Sequence, residues 1–249
     1  MTLPALTAML GARSSWSPES LSGLVAWWDA DTAGSFTFGS GVDVASWASR
    51  VGSYSLGQST ASKRPSRSAT IGGRSAVQFG ADDALSVASF DMGAGKKVSL
   101  WIVCAVPSGS DRILVEHSAN YNSNPGGFIC FRESSNSTFF SRLVAGGYYQ
   151  SWQTSGTLTT IAKSFIGTID GTLSTNQGSG WLNGDPSGTR PHTQNTSMSN
   201  RNDTLYVGAR AGTSVYSAAT IGEFGLSTAI FSPSEIAALN AYLAAKWSL

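Results

Sequence analysis

Val98-Ser99-Leu100-Trp101-Ile102-Val103-Cys104-Ala105-Val106 is the stretch that decides the fold. On an extended chain Val98, Leu100, Ile102, Cys104 and Val106 share one face, and Ser99, Trp101, Val103 and Ala105 share the other. A strand that is apolar on both faces is covered on both sides. This one is therefore expected in the middle of a sheet, with packed layers above and below it.

Shorter strand patterns lie on either side. Leu24 to Trp28, Val42 to Trp47, Ala76 to Phe79 and Ala84 to Val87 precede it. Arg112 to Glu116, Gly127 to Arg132, Thr138 to Val144 and Tyr148 to Trp152 follow, separated by polar loops. Alternation from Thr157 to Ile169 predicts one long strand. Trp181-Leu182-Asn183-Gly184 predicts a strand running into a turn, because Asn-Gly tolerates positive φ. Thr204 to Arg210 and Ala219 to Ser227 complete the set, and residues 58–75 read as an irregular connection. Ser17-Pro18-Glu19 opens a short helical turn. The one full helix is last. Ser232-Pro233-Ser234-Glu235 places a cap, a first-turn proline and a capping-box glutamate in order, and Ile236, Leu239, Leu243 and Trp247 form an apolar stripe. About a dozen strands and one terminal helix predict an all-β, two-sheet antiparallel sandwich.

Composition agrees. The 249 residues are 41% hydrophobic and only 12% charged, about half the usual charged share. Serine (41 residues) and glycine (28) dominate the turns, and 8 Trp, 7 Tyr and 11 Phe argue against disorder. The net charge of +1 gives no global pull toward nucleic acid or an anionic membrane. No apolar run is long enough to span a bilayer as a helix. Two cysteines, Cys104 and Cys130, make neither a disulfide framework nor a four-cysteine zinc site, and whether they pair is left open. No P-loop and no dinucleotide fingerprint occurs. Met1 to Arg13 (MTLPALTAMLGAR) lacks the leading positive charge of a secretory signal, and Pro4 interrupts its apolar run, so no secretion signal is expected. Leu3, Leu6, Met9 and Leu10 fall near helical spacing. They fit a frayed tail and an assembly arm equally well. The expected division is an arm over residues 1–20 and a sandwich domain over 21–249.

Gly23-Leu24-Val25-Ala26-Trp27-Trp28-Asp29-Ala30, Val44 to Trp47, Lys63-Arg64-Pro65, Gly73-Arg74-Ser75-Ala76-Val77-Gln78-Phe79-Gly80, Asp83 with Leu85, Gly180 to Gly184, Ile221 to Leu226 and the closing Lys246-Trp247 occur in that order. Together they resemble the concanavalin A-like (laminin-G-like) jelly-roll domains of bacteriophage and bacterial surface proteins. The resemblance covers residues 20 to 249. It implies a jelly-roll sandwich with a C-terminal helix, and a non-enzymatic virion protein: capsid decoration, head fibre, spike or tail-associated. Such a protein would be anchored to other virion proteins through its N-terminal arm, displayed outward as a homo-oligomer, and directed at host-surface polysaccharide. A purely structural decoration or spike subunit is the alternative. Fold does not fix function, so activity must be read from a site.

Glycoside hydrolysis needs two placed carboxyl groups. Only five glutamates occur, and none has an aspartate two residues on. Glu19 and Glu235 fit first helical turns, Glu223 a structural role, and Glu116 with Glu133 is the remaining pair, with Glu116 expected to be exposed at a strand end. His117 and His192 read as solvated loop residues. No nucleophile elbow occurs. Calcium would find oxygen ligands at Asn120-Tyr121-Asn122, Asn183-Gly184-Asp185 and Asn200 to Asp203, but such residues more often build turns, and no cofactor is expected. Asn136, Asn195 and Asn202 match the N-glycosylation pattern without a secretion signal to support it. The basic cluster of Lys63, Arg64, Arg67 and Arg74 is expected to serve the fold. Carbohydrate binding is the most attractive chemistry, because aromatic rings and amides match the faces and hydroxyls of sugars. Tyr148 and Trp152, and a loop of Tyr121 with Asn120 and Asn122, are the candidate residues. Core packing of Tyr148 and Trp152 fits their pattern equally well.

Overall fold

A computed structural model describes residues 16–119, 127–134, 138–144, 147–153, 158–174, 177–190 and 200–249, with the backbone alone over 139, 143–144, 147–153 and 187–190. In chain order the strands are β1 (Leu24–Asp29), β2 (Phe36–Phe38), β3 (Val44–Ala48), β4 (Ser55–Gly57), β5 (Ser66–Ile71), β6 (Arg74–Gln78), β7 (Leu85–Asp91), β8 (Lys97–Ala105) and β9 (Arg112–Ser118). They continue with β10 (Phe128–Arg132), β11 (Thr138–Val144), β12 (Gly147–Gln153), β13 (Lys163–Asp170), β14 (Gly178–Leu182), β15 (Asp185–Arg190), β16 (Asn202–Val207) and β17 (Thr220–Ser227), and the helix α1 spans Pro233–Trp247.

All pairing is antiparallel, in two sheets. One runs β15-β14-β13-β8-β17-β6-β5, with β1 also paired to β17. The other runs β12-β11-β10-β9-β16-β7-β4-β3-β2. The all-β sandwich expected from the sequence is the fold found. Strand β8 sits centrally, as its two apolar faces require. Val98, Leu100, Ile102, Cys104 and Val106 enter the core between the sheets, beside Trp28, Phe79, Phe90, Phe128 and Phe224. Trp101 and Val103 face the other way and pack under α1 with Trp27, Leu239, Leu243 and Trp247. The layers are therefore sheet, sheet and helix. Cys104 and Cys130 are free thiols buried in the inter-sheet core.

Two element readings are corrected. Residues 58–75 are not an irregular connection throughout, because β5 pairs with β6 across Gly72-Gly73, both at positive φ. Strand β5 is an edge, so its polar face meets water and leaves no apolar run to read. Strand β13 starts at Lys163 and not at Thr157. Before it, Ile161 N donates to Thr159 Oγ1 and Thr159 Oγ1 donates to the Ile161 carbonyl, a local bend that competes with strand pairing.

The helix is tied to the sheets by a buried ionic cluster. Asp29 of β1 lies directly opposite Glu223 of β17, an arrangement that would repel on its own. Lys246 Nζ, from the last turn of α1, reaches between them, 2.8 Å from Asp29 Oδ1 and 2.6 Å from Glu223 Oε2. Arg50 Nη1 is 3.0 Å from Asp29 Oδ2, and Tyr242 OH donates to Glu223 Oε2 at 3.3 Å. Burial pushes the Glu223 carboxyl up to about 7, against the pull of Lys246. Burial also raises Asp29, but Lys246 and hydrogen bonds from Lys246, Thr32 and Asp31 outweigh it and hold Asp29 below its usual range. Three separate sequence motifs, Trp-Trp-Asp-Ala, Gly-Glu-Phe-Gly and Lys-Trp, are thus parts of one structural joint. The basic cluster serves the fold too: Arg64 donates to the Gln58 and Ser59 carbonyls, Arg67 to the Ala30 carbonyl, and Arg74 to Lys246 O and Asp31.

Candidate functional site

The residues 208–219 leave β16 in one sheet and enter β17 in the other, crossing one end of the sandwich. Within this crossing Arg210 N donates to the Ser214 carbonyl at 2.7 Å and Thr213 N to the Arg210 carbonyl at 3.1 Å, forming a tight turn. Ala211, Val215 and Ala218 all have left-handed backbones, with φ of 49°, 48° and 47°. Such conformations are unfavourable for residues with a Cβ, above all β-branched valine, and persist only where their surroundings hold them.

Those surroundings are visible. Ile113 N donates to the Val215 carbonyl at 3.3 Å, and Arg112 Nη1 donates to the Tyr216 carbonyl at 3.2 Å. Val215 also rests on Ile113, Ile129 and Phe131, an apolar cluster on the outer face of the nine-stranded sheet. The crossing meets the 107–111 connection and the start of the 133–137 connection in an open cleft of about 540 Å³. Among the described residues the cleft is lined by Ser110, Asp111, Arg112, Ser134, Val215 and Tyr216, with Gly109 and Ala81 at its edge. Ser134 N donates to Asp111 Oδ1 at 2.9 Å, which fixes the carboxylate at the rim. Arg112 and Arg132 are register partners. Arg132 turns inward to the Leu158 and Pro107 carbonyls, so the two like charges diverge. The cleft therefore combines one aromatic residue, a carboxylate, a guanidinium and two hydroxyls.

Of the binding residues singled out from the sequence, two fall on a described strand. Tyr148 and Trp152 are on β12, the edge strand, paired with Leu143 and Phe140; their side chains lie outside the description. The register shifts between Phe140 and Ser141, so simple alternation does not run from Tyr148 to Trp152. Tyr148 is at the end of the sheet where β9 finishes and β10 begins. Trp152 is at the cleft end, level with the β11 start that pairs with Arg132. Tyr121, Asn120, Asn122, His192, Asn136 and Asn195 lie outside the described residues, as do Leu3, Leu6, Met9 and Leu10. Sequence reading missed Asp111, Arg112 and Tyr216. A usable signal was present: a short Gly-Ser-Asp-Arg run between two strong strands, and one tyrosine within a run of small residues.

Two expectations are overturned. His117 is not a solvated loop residue but lies wholly inside the core, with Nε2 2.9 Å from the Phe90 carbonyl and its ring stacked on Phe128 at 5.1 Å. Burial drives its pKa down to about 4. Glu116 is buried, not exposed. Its strand continues to Ser118, and the 208–219 crossing covers it. It pairs with Ile129, four residues before Glu133, about 13 Å along the strand at the usual rise. Glu133 follows the end of β10, so the two glutamates are not neighbours along the sheet. Two of the asparagines considered for calcium make other bonds. Asn183 Oδ1 accepts from Ser164 N, and Asn200 links Arg142 to the Lys97 carbonyl. No group of three metal-binding side chains occurs among the described residues.

A second groove, about 740 Å³, runs between Trp16 and the outer face of α1, floored by Ala238, Ala241 and Ala245. Its polar members are committed, Arg74 to Asp31 and Lys246 to the ionic cluster. The cleft at the sandwich end is thus the better polar site.

Fold and cleft define a two-sheet antiparallel β-sandwich, compatible with a jelly roll, that carries an open polar site at one end. Solved structures share this fold at low identity. Trypanosoma rangeli sialidase in complex with sialic acid matches with a TM-score of 0.57 and 13% identity, over 90% of this chain and 33% of its own. A mutant of NanB sialidase from Streptococcus pneumoniae matches with a TM-score of 0.51 and 16% identity, over 65% of this chain and 26% of its own. This chain thus aligns with a third or less of the length of those sialidases. No protein-family model and no curated protein matches the sequence.

Proposed function

We propose that this chain is a glycan-binding module that holds surface polysaccharide without cleaving it. The observation that carries the proposal is the cleft that sets Tyr216 beside Asp111, Arg112, Ser110 and Ser134. A sugar offers an apolar face for the ring and hydroxyls for the acceptor and donors around it. Such shallow sites, with few fixed polar groups, suit a polymer that passes across them. The sialidases that share the fold handle glycans, and one holds sialic acid, which adds support. Asp111 is the one carboxylate lining the cleft among the described residues, whereas glycosidases generally use a pair. Display on a phage particle, as the family resemblance implies, completes the reading.

The test is binding of the purified chain to a glycan array and to host cells with and without their surface polysaccharide. Tyr216→Ala is expected to weaken binding by about tenfold or more without lowering the melting temperature, as loss of one ring contact and its ordered neighbours would. Wild-type binding that survives removal of the polysaccharide, or no binding to any glycan, would overturn the proposal and favour a structural subunit. Release of reducing ends would instead return the chain to the glycosidases. Mass spectrometry of purified particles tests the virion setting separately.

A further inference from the structure

We infer that Glu116 is the positioning residue of this cleft: its carboxylate, reaching up from beneath, holds the turn that presents Val215 and Tyr216 as the cleft wall. The inference rests on the glycan-binding reading for its consequence, but its geometry stands apart from that reading.

Glu116 lies on the outer face of β9, between its register partners Tyr206 of β16 and Ile129 of β10. It is wholly buried, although it is a carboxylate on the outside of a sheet. Both oxygens are engaged. Oε1 accepts from Ser118 Oγ at 2.6 Å, and Oε2 accepts from Ala211 N at 3.1 Å. Ala211 is the first of the three left-handed, non-glycine residues in the crossing. A backbone N–H in that conformation, turned toward the sheet and away from water, needs an acceptor beneath it. No backbone carbonyl of a flat sheet points out of its face, so a side chain must supply one. Glu116 does so: burial raises its carboxyl, and the bonds from Ser118 and Ala211, with Arg210 just before Ala211 in the chain, work against that rise. From Ala211 the chain runs through its tight turn to Val215 and Tyr216, which line the cleft. The bond from Ala211 N is the turn's own bond to the sheet, between Gly208 N, which donates to the Leu114 carbonyl at 3.1 Å before the turn, and the Val215 and Tyr216 carbonyls after it. Releasing it leaves the two ends of the crossing held, by Gly208 N on one side and by Ile113 N and Arg112 on the other, and loosens the turn between them.

The same geometry separates Glu116 from acid catalysis. Both oxygens face protein donors, and the turn lies between the carboxylate and solvent.

Glu116→Gln and Glu116→Leu distinguish positioning from general support. Glutamine keeps a carbonyl oxygen for Ala211 N and an amide that donates to Ser118 Oγ, whereas leucine keeps the bulk and offers neither. Amide hydrogen exchange of the full chain is the first readout. Glu116→Leu is expected to speed exchange in 208–218 by about tenfold or more, with peptides from β8 and β13 as protected as in wild type. Glu116→Gln is expected to stay within about threefold of wild type. The second readout is affinity for whichever array glycan binds wild type best, where the same order is expected. Should Glu116→Leu also expose β8, Glu116→Asp replaces it: one methylene shorter, it keeps the charge and loses the reach, so faster exchange confined to 208–218 is expected. Unchanged exchange in 208–218, or equal losses with glutamine and leucine, overturns the inference. If no glycan binds wild type, the glycan reading fails while the exchange data still decide the role of Glu116.

Discussion

At Gly225 the absence of a side chain lets β17 lie against the Trp101 indole. A Cβ there would overlap the ring, which is pinned between the sheet and α1. Gly225→Ala is therefore expected to destabilise the protein by about 1–3 kcal/mol, the usual result of overpacking a close-packed interior. Urea unfolding checks this, and an unchanged midpoint would mean that Trp101 has room to move. The Gly-Leu-Ser tail of Ile221–Ser227 shows this role only once its neighbour is known. The same blindness misplaced Glu116 and His117. Polar residues in a row read as the end of a strand, but β9 turns His117 into the core and Glu116 under a crossing that comes some ninety residues later. Sequence polarity records what a residue is, and coverage by a distant loop decides where it lies.

Elements whose boundaries are set locally were the legible ones. Strand β8 carries both its faces in its own sequence, and α1 carries its own cap. Ser232 Oγ accepts from Glu235 N at 3.3 Å, and Glu235 Oε2 accepts from Ser232 N at 2.7 Å. The other Glu235 oxygen accepts from Ser22 N at 2.7 Å, tying the helix start to the chain before β1. Burial opposes ionisation of Glu235, but these bonds, Ser232 N first, hold its carboxyl down at about 2. Ser232→Ala is expected to cost about 1 kcal/mol, typical of a lost N-cap. The Glu235 contribution is present at neutral pH and is lost as pH falls from about 4.5 toward 2. Chemical denaturation at pH 7 and pH 3 measures both effects. Strand β5 and the start of β13 were not legible, because an edge strand has one wet face and the Thr159 bend depends on a single hydroxyl. The cleft was less legible still: its members come from three connections that only the closed sandwich brings together.

Across the whole molecule, two buried groups set opposing pH dependences. Glu223, raised to about 7 by burial, binds its proton in the folded state between about pH 4.5 and 7, where the unfolded chain has released it. That contribution makes stability fall as pH rises through the window. His117, lowered to about 4 by burial, stays neutral when folded between about pH 4 and 6.5, where the unfolded chain is charged. Its contribution makes stability rise with pH over nearly the same window. Each corresponds to one proton, about 1.4 kcal/mol per pH unit, so they largely cancel. Burial also raises Glu116 and Asp83, the same direction as Glu223. Glu223→Gln removes the titrating carboxyl and leaves Lys246 paired with Asp29. The variant is expected to gain stability with rising pH by up to about 1.4 kcal/mol per unit between pH 4.5 and 6.5, relative to wild type. Urea midpoints taken at half-unit steps give this slope directly. Parallel curves for the two proteins would mean that Glu223 is ionised throughout and that Lys246 holds both carboxylates as a charged triad.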